Sequence, residues 1–131
     1  MERFEVATAR REELTDVTRQ VADAVRAIGV AEGWALVSCP HTTAGVTVNE
    51  HADPDVASDI VAGFARLVPH AGAWRHAEGN ADAHVKATLV GSSVTLPVSE
   101  GRLVLGTWQG VFLCEFDGPR RRSLLVSVLG A

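Results

Sequence analysis

Several signals are missing from this chain, and each absence removes a class of function. The net charge is −4, with an isoelectric point near 5.7. There is no basic excess to neutralise a phosphate backbone, so no nucleic-acid partner is expected. The basic run Arg120-Arg121-Arg122 is too short to form a tail. No uninterrupted apolar stretch approaches the roughly 20 residues of a membrane span, and no membrane partner is expected. The opening Met1-Glu2-Arg3-Phe4-Glu5 lacks the basic-then-apolar order of a signal peptide, so a cytoplasmic protein is expected. Cysteine is scarce: Cys39 and Cys114 stand among apolar neighbours and form no CxxC. Buried reduced thiols are expected of them, neither a disulfide nor a cysteine metal site. Repeats, low-complexity segments and linkers are absent, as is a glycine-rich phosphate cradle closing on Gly-Lys-Ser or Gly-Lys-Thr.

What is present suits one globular domain over residues 1–131, with 47% apolar and 21% charged residues. Phe4 and Val6 alternate within residues 1–10 and predict a strand. Thr15 is placed to cap a helix on which Val17, Val21, Val25 and Ile28 recur at helical spacing until Gly29. Residues 33–39 and 45–49 predict buried strands, with Pro40-His41-Thr42-Thr43 as the bend between them. Asp53 and Pro54 open a second helix, carried by Val56, Ile60, Phe64 and Leu67 to a stop at Pro69. A short third helix over residues 82–89 ends at Gly91. Runs at 93–98, 102–107, 111–116 and 123–129, separated by turn residues, predict a C-terminal antiparallel β-meander. The expected class is α+β: a mixed or antiparallel β-sandwich with two to three helices.

Two polar clusters interrupt this pattern. One runs from His41-Thr42-Thr43 to Asn49-Glu50, and the other from His76 through Glu78, Asn80 and Asp82 to His84. His41 ends a strand, where a rigid scaffold presents functional groups. If the loop carrying His76 folds back toward His84, His41, His76 and His84 make a candidate three-ligand metal site with an open position. Glu50 is a candidate general base or cation ligand, and equally a salt-bridge partner for an arginine. Asp53 is read as a helix cap; His51 and His70 are read as surface residues. Glu115 shares a strand face with Val111 and Leu113. If buried there it needs a partner, with Arg102, Arg121, Arg122 or a ligand as candidates. Trp108 and Gln109, in a turn, offer an aromatic wall and an amide to a planar ligand.

The segment from His41 to Glu50, the segment from His76 to His84, and the run Gly91-Ser92-Ser93 through Pro97, Gly101-Arg102-Leu103 and Gly106-Thr107-Trp108-Gln109-Gly110 resemble the YjbQ-like family. That family is also called the secondary thiamine-phosphate synthase enzyme family. The likeness continues through Leu113-Cys114-Glu115-Phe116 and the arginine-rich turn, and is looser over residues 1–33. The resemblance implies an α+β fold with a sheet sandwich, a homotrimer with polar sites near subunit boundaries, and a weak thiamine-phosphate synthase activity known from some relatives. By position, the polar residues it carries over are His41, Asn49, Glu50, His76, Asn80, His84, Trp108, Gln109 and Glu115.

Two functions are weighed on these residues. The first is a transferase joining a pyrimidine-methyl diphosphate to a thiazole phosphate. His41, Asn49, Glu50 and His84 are its catalytic candidates, and Asn80, Trp108, Gln109, Glu115 and Arg121 are its substrate-binding candidates. Magnesium is the ordinary ion at a diphosphate. The second is a trimeric metal-binding protein or metal-assisted hydrolase, in which a zinc-like ion sits on His41, His76 and His84 and Glu50 serves a bound water.

Overall fold

Alternating and β-branched residues build two antiparallel sheets. The computed structural model describes residues 1–131. A five-stranded sheet holds β1 (Glu2–Ala7), β8 (Arg121–Gly130), β3 (Gly33–Ser38), β5 (Ser93–Ser99) and β6 (Arg102–Leu103), in that order. A three-stranded sheet orders β2 (Glu13–Asp16), β7 (Gln109–Glu115) and β4 (Ala44–Glu50). Every pairing is antiparallel.

The sheets close on one core with α1 (Thr18–Ile28). Val37, Leu96, Leu124 and Val126 come from the larger sheet, Val46, Val111 and Leu113 from the smaller, and Val21 and Val25 from the helix. The other face of the smaller sheet is covered by α2 (Pro54–Leu67) and α3 (Ala81–Val90), where Ala83 and Ala87 meet Cys114 and Phe116. β7 is therefore buried on both faces from Gly110 onward. That layering explains its nearly unbroken apolar sequence. Both cysteines are buried and free. No helix is long and apolar enough to cross a membrane.

Several expectations are corrected in detail. The last four strand-like runs do not form one meander: β5 and β6 are neighbours, while β7 leaves for the other sheet and β8 inserts between β1 and β3. Turns mark where a strand ends but carry no information about its partner. The run at 102–107 yields only Arg102–Leu103 as strand. Thr15 lies in β2 rather than capping α1; Asp16 accepts the Thr18 N–H at 2.9 Å in its place. Asp53 caps α2 as expected, accepting from the Asp55 N–H at 2.9 Å.

Candidate functional site

β3 delivers His41 to one end of the smaller sheet, directly after Cys39-Pro40. Its Nε2 accepts the Ser123 backbone N–H at 2.8 Å. An imidazole used this way carries its proton on Nδ1 when neutral. Burial, followed by the nearby Arg122 charge, lowers the pKa of His41 below the ordinary value. α3 brings His84 to the same place, because its alanine face packs on Cys114 and Phe116 and turns His84 outward. His41 and His84 both line a cavity of about 320 Å³ that has no apolar lining residue; Asn80, Asp117, Arg120 and Arg122 line it too. An adjoining cavity of about 480 Å³ also touches both histidines, with Thr42, Thr88 and Ser92.

Behind this wall lies a buried ion pair. Glu115 is 0% exposed and Arg122 4%. Arg122 Nε donates to Glu115 Oε1 at 2.9 Å, and Nη2 donates to Glu115 Oε2 and to Thr43 Oγ1, the latter at 2.8 Å. Thr8 Oγ1 and the Asp117 N–H complete the carboxylate, at 2.7 and 3.1 Å. Of the candidate partners for Glu115, Arg122 is the one the fold uses. Arg121 points outward and pairs with Glu5 at 2.9 Å. Strand alternation explains the choice: Arg122 shares the inward face of β8 with Leu124 and Val126.

His76 meets His84 edge to face, with ring centroids 5.3 Å apart, on an exposed loop where its Nε2 lies 3.5 Å from Glu78. The expected folding-back of that loop is present. A metal set is not: no group of three or more His, Cys, Asp or Glu side chains is gathered as an ion would need. His41 has also committed Nε2 to Ser123. The residues as arranged do not fit zinc or magnesium.

Asn49, Glu50, Trp108 and Gln109 stand elsewhere. Ala44 pairs with Glu115, but Glu50 pairs with Gln109, at the opposite end of the same strands, roughly 20 Å away at about 3.4 Å per residue. Asn49 Oδ1 accepts the Glu50 N–H, Gln109 Oε1 accepts the Gly106 N–H, and Trp108 is 62% exposed. His51 at this end holds Asp16 through Nδ1 at 2.9 Å.

Sequence reasoning missed Arg120 and took Asp117 for a turn residue, while Arg122 stood among the candidate partners for Glu115. It also missed the footing of α3. Asp82 and Lys86 are fully buried there, joined at 2.8 Å. Lys86 also donates to Glu12, and Arg11 and His70 hold Asp82 at 3.1 and 2.9 Å. Burial pushes the Asp82 pKa up, but bonds from Lys86, His70 and Arg11 outweigh it and hold the carboxyl well below the usual range.

A family model described as UPF0047 protein YjbQ-like matches residues 2–131, so the likeness includes the segment where the motifs were looser. UPF0047 protein MJ1081 of Methanocaldococcus jannaschii is 46% identical over 128 residues, covering 98% of this chain and 93% of that one. UPF0047 protein YugU of Bacillus subtilis is 46% identical over 132 residues, covering 97% of each. An uncharacterised conserved protein of the yjbq/upf0047 family from Clostridium acetobutylicum superposes with a TM-score of 0.96 at 45% identity, covering 98% of this chain and 100% of that one. A protein of unknown function from Sulfolobus solfataricus gives 0.95 at 39%, covering 99% and 96%.

Proposed function

Because this chain belongs to the YjbQ-like UPF0047 family, we propose that the cavity of His41 and His84 is an active site for transfer between small phosphorylated molecules, of the secondary thiamine-phosphate synthase type. The observation that carries this reading is the convergence of two imidazoles and two arginines, from separate elements, on one cavity without apolar lining. In the reaction the carbon–oxygen bond to the diphosphate breaks, the thiazole nitrogen forms the new bond to that carbon, and pyrophosphate leaves. The protein's task is to orient two anionic partners and offset the charge growing on the leaving group. Histidine and arginine N–H groups suit it. Glu115 acts through Arg122, and Asn80 lines the cavity beside Asp117.

The same reading includes a cytoplasmic homotrimer. Trp108, Gln109, Asn49 and Glu50 sit too far along their own strands to reach the histidines. A ring of head-to-tail contacts would bring that end of one subunit to the cavity of the next, adding the aromatic wall that the cavity lacks. Pyrophosphate release from the two precursors together, and from neither alone, tests the assignment. The alternative, a metal-binding protein or metal-assisted hydrolase, is supported only by the contacts of His76 with His84 and Glu78. A stoichiometric metal in protein purified without an affinity tag would favour it.

A further inference from the structure

Three polar atoms at the first cavity are left without a protein partner. A guanidinium has five N–H donors. In Arg122 the donor on Nε goes to Glu115, and the two on Nη2 go to Glu115 and Thr43. The two on Nη1 make no bond to the protein, and Arg122 lines the cavity. His41 has its Nε2 filled by Ser123, which leaves Nδ1–H as a second free donor. Asn80 donates to Asp117 at 2.8 Å, but its Oδ1 is buried with no partner at all. Buried polar groups are rarely left unpaired without a reason.

The charges around these atoms decide what they can hold. Glu115 neutralises Arg122 on the far edge of the guanidinium, and Arg120 neutralises Asp117 at 2.9 Å. Glu78 is exposed and pairs with His76. The cavity therefore has little net charge, so an anion there would be held by directed N–H groups rather than by net charge. Those donors come from two elements, the loop after β3 and strand β8. A tetrahedral group that accepts from several directions suits them better than a planar carboxylate, which needs one arginine fork.

We infer that Arg122 Nη1 and His41 Nδ1–H hold a phosphoryl oxyanion of the substrate, and that Asn80 Oδ1 accepts from an N–H or O–H next to that group. This rests on the cavity being the active site, but not on the identity of the reaction.

The test titrates inorganic pyrophosphate into the full chain, followed by calorimetry and by phosphorus line broadening. Saturable binding is expected, weakened about tenfold or more by His41→Ala and by Arg122→Lys, which keeps the charge but cannot hold Glu115 and still present a donor where Nη1 stands. Arg66→Ala, on the surface of α2, leaves it unchanged, and acetate does not compete. Arg122→Lys counts only if its thermal melt shows a folded protein. His41→Ala orphans no buried charge and carries the comparison by itself otherwise. No saturable binding at millimolar pyrophosphate, wild-type binding by folded His41→Ala, equal loss in Arg66→Ala, or competition by acetate would each overturn the subsite. Pyrophosphate binding that depends on Arg122 and His41, with no turnover of the two thiamine precursors, would sink the proposed reaction and keep the subsite. Turnover that is indifferent to both residues would do the reverse.

Discussion

Ser123 donates its backbone N–H to His41 Nε2 across 2.8 Å, joining β8 to the loop that follows β3. The bond needs an unprotonated nitrogen, and burial together with Arg122 makes protonation harder still. An unfolded chain takes up this proton near pH 6.5, the folded chain only at lower pH. His41 therefore contributes stability above about pH 6.5 that is lost as the pH falls through and below it. The thermal midpoint is expected to drop between about pH 7 and pH 5, and to drop less in His41→Gln. Equal slopes for the two proteins would contradict the account.

Glu115 and Arg122 are both buried, so neither tolerates losing the other. Glu115→Ala leaves an uncompensated guanidinium and is expected to cost about 3–5 kcal/mol. Replacing both residues with apolar side chains is expected to cost clearly less than the sum of the single changes. Urea unfolding of the four proteins measures this.

Asp82 works with the opposite charge. Its folded carboxyl ionises well below the usual range, whereas the unfolded one takes its proton near pH 3.9. Its contribution is full at neutral pH and is lost as the pH falls below about 4. Asp82→Asn is expected to be less stable at pH 7 and to lose less on acidification, as read by denaturant midpoints across that range.

Trp108 tests the assembly. On its own subunit it cannot reach His84, yet if the proposed trimer shares its sites, Trp108→Ala is expected to raise KM about tenfold, the scale of a lost stacking contact, with the mass in light scattering unchanged. Mixed trimers of Trp108→Ala and His84→Ala are expected to regain activity at low substrate. No recovery would show that subunits do not share sites.

Much of the fold was legible because it is local. The Asp53-Pro54 start of α2, the strands on either side of His41 and the helix carrying His84 follow from periodicity and capping. Strand partnership is not local, which is why a meander was expected where β7 and β8 enter different sheets. The same blindness to register joined Asn49 and Glu50 to His41 in one cluster, although β4 carries them to opposite ends. Among the three arginines, the period of two along β8 would have singled out Arg122, since Leu124 and Val126 share its face. Nothing in the sequence marks Asp82 and Lys86 as buried: their partners Arg11, Glu12 and His70 come from distant segments.

The most direct measurement is pyrophosphate release from the pyrimidine diphosphate and the thiazole phosphate by wild type, His41→Ala and His84→Ala, each shown to be folded. The account predicts turnover by the wild type, dependent on both precursors, and a loss of roughly 100-fold or more in each variant, the scale of a missing hydrogen-bond donor to developing negative charge. Wild-type rates in either folded variant, or no reaction from the unaltered protein, would contradict it.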